Sequence, residues 1–212
     1  MSLALDPDAV LWNAEPSDRD GRPLLVVMHG RGSNEEDLFA LAPELPAEYV
    51  IASLRAPIAE AGGWSWWETV VSGNPDAELV DSAAAAVTTW LDALPFEPSL
   101  VGTLGFSQGG AMATHLLRRD VARVRFAVNL AGFAISGEQE ADAALAVSRP
   151  PVFWGRGDAD QLFTPEIIAR TEAWLAGHAD AQIHLYPGLG HSVSRDELDD
   201  VARFLSAQVP AH

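Results

Sequence analysis

A chain of 212 residues, 48% hydrophobic and 20% charged, is long enough to bury a core unaided and lacks the composition of a disordered, collagen-like or coiled-coil protein. Thirteen Arg and no Lys stand against thirty Asp and Glu, a net charge of -17, so the dense positive patch that nucleic acid or an anionic membrane requires is missing. Zero Cys excludes disulfides, thiolate metal sites and a cysteine nucleophile together.

Met1 to Val10 carries Asp6, Pro7 and Asp8 and no basic residue ahead of an apolar run, unlike a secretory signal. No stretch approaches the about 18 apolar residues of a membrane span, and a soluble cytoplasmic protein is expected. Leu24 to Met28 is a continuous apolar run closing on His29-Gly30, the pattern of a strand buried on both faces. Ser33 and Glu36 have capping-box spacing, which predicts a helix that Pro43 or Pro46 ends. Tyr49 to Leu54 is the next strand, followed by a loop rich in Ala, Gly and Trp to about Asp76. Val80, Ala84, Val87, Leu91 and Leu94 share one helical face. Leu100 to Leu104 reads as strand and Gln108 to Arg118 as helix. Val124 to Leu130 and Pro151 to Trp154 are strands separated by a small polar segment. Ile167, Ile168, Trp174 and Leu175 mark a helix, and Gln182 to Tyr186 a strand. Leu198, Val201, Ala202 and Leu205 form a closing helix that Ser194 and Glu197 can cap. This alternation predicts an α/β protein with a parallel sheet covered on both faces. No repeat or Pro/Ser linker divides the chain, so residues 1–212 are read as one domain.

The strongest chemical signal is Gly105-Phe106-Ser107-Gln108-Gly109, a G-x-S-x-G sequence between a strand and a helix. Small residues two before and two after the serine allow the tight turn that leaves its hydroxyl exposed at the carboxyl edge of a sheet. Gln108 opens the helix, so its N–H lies outside the helical ladder and suits a developing oxyanion. A serine needs a base at neutral pH. Asp158 and Asp160 follow the strand ending at Trp154, and His191 follows Pro187-Gly188-Leu189-Gly190 after the strand ending at Tyr186. Ser, acid, His is the chain order of a hydrolase built on such a sheet. Spacing does not choose between Asp158 and Asp160.

Among the other histidines, His178 sits at a helix end, His184 within a strand and His115 too far along its helix to reach Ser107, while His212 is terminal. His29, before Gly30 at a strand end, is assigned a structural role in the loop. In His29-Gly30-Arg31-Gly32 the glycines let the backbone approach a reacting carbonyl, making the Arg31 N–H a candidate second oxyanion donor. Trp64, Trp66 and Trp67 lie in a Gly-rich loop, and adjacent indoles in extended chain point opposite ways, so not all three are expected in the core. Trp66, Trp67 and Phe163 are the candidate substrate-binding residues, against the simpler use of the indoles as an apolar plug at the sheet edge.

Four segments together, Gly105-Phe106-Ser107-Gln108-Gly109-Gly110, His29-Gly30-Arg31-Gly32 with Asp37-Leu38, Gly157-Asp158-Ala159-Asp160, and Gly188-Leu189-Gly190-His191, resemble the phospholipase/carboxylesterase family of α/β-hydrolases, which includes acyl-protein thioesterases. The resemblance runs in order from about residue 22 to about residue 208. It implies an α/β-hydrolase fold with a mostly parallel central sheet, helices on both faces and no large lid domain. It also implies Ser107 as nucleophile, His191 as base, Asp160 as acid and the Arg31 and Gln108 backbone N–H groups as oxyanion donors. Trp67 stands where the family commonly has Phe, and Pro165 falls one position later than the family's proline; both bear on pocket shape rather than on the triad. The activity implied is hydrolysis of small-molecule carboxylic esters or thioesters through an acyl-enzyme, with no metal or organic cofactor and no nucleic-acid partner. The alternatives are a peptidase or lactonase on the same triad, or a non-catalytic ligand-binding protein of the same fold. Acyl chain length, leaving group and oligomeric state are not set by these motifs.

Overall fold

The computed structural model describes residues 3–60, 62–68 and 73–209, so the terminal His212 lies outside the described residues. Seven strands form one sheet: β1 (Leu11–Trp12), β2 (Leu24–Met28), β3 (Val50–Leu54), β6 (Val101–Phe106), β7 (Val124–Leu130), β8 (Pro151–Gly157) and β9 (Asp180–Tyr186). Their spatial order is β1-β3-β2-β6-β7-β8-β9, with every neighbouring pair parallel except β1 on β3. A separate hairpin pairs β4 (Ile58–Glu60) with β5 (Gly63–Ser65).

The apolar runs exist because the sheet is covered twice. Along β2 the side chains alternate between two cores, Leu24, Val26 and Met28 to one and Leu25 and Val27 to the other. The first core is closed by α2 (Ala77–Asp92), α3 (Gln108–Arg119) and α5 (Pro165–His178), through residues such as Val87, Met112 and Trp174. The second is closed by α1 (Glu35–Phe39) and α6 (Arg195–Gln208), through Leu38, Val201, Phe204 and Leu205. The α/β class, the mostly parallel sheet and the helices on both faces expected from the alternation are therefore present.

Several local features differ from the sequence expectation. The cap of α1 is Asn34, whose Oδ1 accepts from the Glu36 N–H at 2.9 Å, while Ser33 Oγ donates to Asp37 Oδ2 at 2.8 Å. Asn one residue closer to the helix satisfies the same orphan donors. The loop between β3 and α2 contains the β4–β5 hairpin, and the segment between β7 and β8 contains α4 (Asp142–Ser148). That helix has little apolar periodicity of its own. It is docked by Asp142, whose oxygens accept from Arg118 Nε at 2.9 Å, Arg118 Nη2 at 2.6 Å and Trp174 Nε1 at 3.1 Å. β1 is two residues long, too short to show alternation.

At the start of α6, Ser194 Oγ accepts from the Glu197 N–H at 3.1 Å, as the capping pattern predicts. The Glu197 side chain is only 1% exposed and neither carboxyl oxygen has a hydrogen-bond partner. It presses on β8, where a Cβ added to Gly155 would lie 2.2 Å from Glu197 Oε1. Burial pushes the carboxyl up to about 7 from its ordinary 4.5, and the Asp200 charge adds to the rise against the opposing Ser194 backbone. The native state therefore binds this proton more tightly than the unfolded chain does. Its contribution is full below about pH 4.5 and declines as pH rises, the loss being complete above about pH 7. Relative to wild type, Glu197→Gln is expected to be stabilised on the alkaline side by up to about 3 kcal/mol, with little difference near pH 4. Urea unfolding of both proteins across pH measures this, and parallel profiles would contradict it.

Candidate active site

The turn from β6 into α3 is built by missing side chains. A Cβ on Gly105 would lie 2.1 Å from the Gly109 carbonyl oxygen, and one on Gly109 would lie 2.0 Å from the Met28 carbonyl oxygen. Between them Ser107 adopts φ 55° and ψ -114°, a conformation that residues with a Cβ rarely occupy. Its N–H donates to the Leu130 carbonyl at 2.8 Å, which fixes the turn against the end of β7. Ser107 is thereby held at the carboxyl edge of the sheet, 9% exposed, at the floor of a groove of about 320 Å³.

Two further loops reach this point. His191 Nε2 lies 2.9 Å from Ser107 Oγ, and His191 Nδ1 lies 2.7 Å from Asp160 Oδ2. Asp160 also accepts from the Leu162 N–H at 2.9 Å, so one carboxylate oxygen holds the loop and the other faces the imidazole. Asp158, left open by spacing, points elsewhere: its Oδ1 accepts from the Gly188 N–H at 2.6 Å and ties the acid-bearing loop to the one carrying His191. The Ala159 N–H bond to the Leu189 carbonyl at 3.0 Å makes a second tie. The imidazole is flanked by aromatic rings, with centroids at 4.9 Å for Phe106 and 5.8 Å for Phe163.

Arg31 and Gln108 line the same groove as Ser107. The Arg31 guanidinium is occupied outside it, bonded to Glu60, whose carboxyl it holds well below its usual range with help from Ser65. His29 is fully buried in the role assigned to it. Its Nδ1 pairs with the Gly30 carbonyl at 2.7 Å, its Nε2 accepts from the Ala56 N–H at 3.1 Å, and burial lowers its pKa, so the ring is a neutral strut. The other described histidines also have structural partners: His115 bonds Asp81, His178 the Trp174 carbonyl, and His184 stacks on Phe153 beside Asp200.

The three tryptophans are not all in the core, as expected: Trp64 is only partly buried. Trp66 and Trp67 are both buried, at 0% and 2% exposure, because this segment tucks beneath the groove rather than running extended across it. Trp67 lines the groove, as does Phe163, but Trp66 does not. Trp66 is instead a brace. Its indole N–H donates to the His29 carbonyl at 2.9 Å and its backbone N–H donates to Gln108 Oε1 at 2.8 Å, while Gln108 Nε2 donates to the Trp67 carbonyl at 2.9 Å. One buried segment thus spans from the Arg31 loop to the first residue of α3. Nothing in the sequence marked this use of the Gln108 side chain, nor Phe133, which follows β7 and also lines the groove. Among the described residues no group of three or more His, Asp or Glu is arranged to hold a metal ion, and no helix is long and apolar enough to cross a membrane.

Residues 13–209 match the family described as phospholipase/carboxylesterase. An acyl-protein thioesterase 1 from Eremothecium gossypii is 31% identical over 98% of this chain and 95% of its own, and one from Debaryomyces hansenii is 26% identical over 70% of each chain. Among solved structures, a Bacillus cereus carboxylesterase superposes with a TM-score of 0.80 at 20% identity, covering 93% of both chains. A Mesorhizobium loti carboxylesterase gives 0.79 at 18% identity, covering 97% of this chain and 99% of its own. These last two likenesses are of fold.

The brace can be tested without reference to any reaction. Gln108→Ala leaves the buried Trp66 N–H and Trp67 carbonyl without this partner, and a loss of about 2 kcal/mol in unfolding free energy is expected. Denaturant titration of the variant measures it. A change below about 0.5 kcal/mol, the usual range for an idle surface position, would show that the bonds contribute nothing.

Proposed function

The chain belongs to the phospholipase/carboxylesterase family of α/β-hydrolases, a carboxylesterase and thioesterase type of serine hydrolase, and from that premise we propose that it cleaves acyl esters or thioesters through a Ser107-His191-Asp160 triad. The observation that carries the reading is the unbroken line from Ser107 Oγ through both ring nitrogens of His191 to Asp160 Oδ2, at 2.9 and 2.7 Å.

In this mechanism Ser107 Oγ attacks the acyl carbon as His191 Nε2 removes its proton. Asp160 accepts from Nδ1–H, which fixes the tautomer with a free lone pair on Nε2 and stabilises the imidazolium that forms. The backbone N–H groups of Arg31 and Gln108 stabilise the oxyanion of the tetrahedral intermediate, their spacing maintained by the Trp66 segment. His191 then delivers its proton to the departing oxygen or sulfur, leaving the acyl group on Ser107. Water, deprotonated by the same imidazole, attacks the acyl carbon, and the second tetrahedral intermediate collapses as the imidazolium returns its proton to Ser107 Oγ, releasing the carboxylic acid and regenerating the site. Protons and electron pairs balance with no metal or organic cofactor. Asp158, engaged with Gly188, takes no part in proton transfer in this scheme.

Ser107→Ala is expected to abolish both ester turnover and covalent labelling by a fluorophosphonate, with the fold intact by circular dichroism. Burst kinetics persisting in that variant would refute the assignment. Asp160→Asn should lower kcat on the order of 10⁴-fold, as in other triads, whereas Asp158→Asn should lower it far less. A larger loss at Asp158 would reverse the choice of acid.

A further inference from the structure

The groove has two chemically different ends. Ser33 and Asp37, from the segment that carries Arg31, give it polar lining, and Phe133, Leu162 and Phe163, from the segments after β7 and β8, give it an apolar end, with Trp67 also in its wall. At that apolar end Phe133, just after β7, and Phe163, just before α5, meet with ring centroids 5.0 Å apart at an interplanar angle of 60°. The same two rings line a second, smaller void of about 10 Å³, whose other walls include Trp154, Arg156, Asp160, Ile168 and Thr171. Such a void has room for about one water molecule. The ring pair is therefore a partition, with the groove on one side and the smaller void on the other.

The partition is held from behind. Arg170 of α5 donates to the Gly73 carbonyl at 2.7 Å and to the Ala134 carbonyl at 3.1 Å, fastening the backbone on both flanks. Gly73 sits so close that a Cβ there would lie 2.4 Å from Ile167 Cδ1 and 3.1 Å from Phe163 Cδ1. A groove of about 320 Å³ is at the low end of the roughly 300–1,000 Å³ of sites that enclose a ligand.

We infer that the Phe133–Phe163 partition ends the acyl subsite and restricts this hydrolase to short acyl groups, with the polar end receiving the leaving group. The inference rests on the esterase or thioesterase reading above. Hydrocarbon belongs at the aromatic end because it gains by leaving water, whereas a polar leaving group keeps its hydration beside Arg31, Ser33 and Asp37. A chain longer than the subsite bends back into solvent, so its added methylenes contribute nothing to transition-state binding. Removing a ring joins the groove to the void. Each methylene then taken into apolar surroundings contributes a factor of about 4.

The test is kcat/KM for p-nitrophenyl esters from acetyl to decanoyl with wild type, Phe133→Ala, Phe163→Ala and the milder Phe163→Leu. Acetate esters of alcohols of increasing length form the control series. Folding is checked by circular dichroism and the reactive serine by fluorophosphonate labelling. Wild type is expected to favour acetyl to butyryl esters. In the alanine variants the octanoyl-to-acetyl ratio should rise at least tenfold, with a smaller rise in Phe163→Leu and no comparable change along the alcohol series. Unchanged ratios in folded, labelled variants would overturn the proposal, as would a wild-type preference for decanoyl esters. A shift confined to the alcohol series would overturn it by moving the partition to the leaving-group side. If wild type neither labels nor turns over any ester, the hydrolase reading has failed, and the inference falls with it rather than on its own account.

Discussion

The site depends on one strained residue. Ser107 at φ 55° turns the chain from strand to helix within a single residue, a conformation that costs about 1–3 kcal/mol and persists only where the surroundings leave no alternative. Here the surroundings are the bare backbones of Gly105 and Gly109. The first lets α3 fold back onto the end of β6, and the second lets α3 approach the Met28 carbonyl at the end of β2. That contact places the serine turn beside the loop that begins at His29. Proposed nucleophile and proposed oxyanion donors are thus held in one packing arrangement, in which any Cβ at Gly109 would drive the elements apart.

Parallel pairing explains why residues so far apart in sequence meet. The segments after β2, β6, β7, β8 and β9 carry Arg31, Ser107, Phe133, Asp160 and His191 in turn, and a parallel sheet gathers the carboxyl ends of its strands along one edge. The edge supplies proximity, and bonds between loops supply the last ångström. Asp158 to Gly188 and Ala159 to Leu189 lock the acid loop to the histidine loop, so the distance from His191 to Asp160 is set by backbone geometry as well as by the pair itself. The Trp66 segment does the same between the loop that begins at His29 and Gln108. In both places the spacing is held by a neighbour of a residue proposed for the reaction.

The buried groups fall into two kinds. Arg118 and Asp142 are deeply buried but fully satisfied, by each other and by the Ile135 carbonyl, the Gly137 carbonyl and the Trp174 indole, and they anchor α4 to α3 and α5. Glu197 is buried without partners, and its environment favours the neutral acid. The first arrangement adds order to a segment with weak helical signals. The second places a pH-dependent weakness directly behind β8, the strand that leads to Asp160.

Much of the fold was legible in the chain, because apolar runs of strand length between helical faces have few other uses. The G-x-S-x-G turn was legible because its glycines answer a steric requirement local to the turn. The order of Ser107, the acids and His191 was legible too, as was the structural role of His29. What one-dimensional spacing could not convey was which way a loop points. Asp158 and Asp160 are equivalent by spacing, and the fold distinguishes them by turning Asp158 to the Gly188 N–H and Asp160 to His191. Ser33 and Asn34 both suit a helix start, and the chain's exit from β2 chose Asn34. Spacing showed that three neighbouring indoles would not all be core, but not that Trp64 is the one left partly exposed. The sequence determined which elements form and which candidate residues stand at their ends, since these follow from local periodicity and sterics. Tertiary structure decided the partners of Gln108, the burial of Trp66 and the meeting of Phe133 with Phe163, because each depends on contacts between segments whose separation along the chain carries no trace of their distance in space.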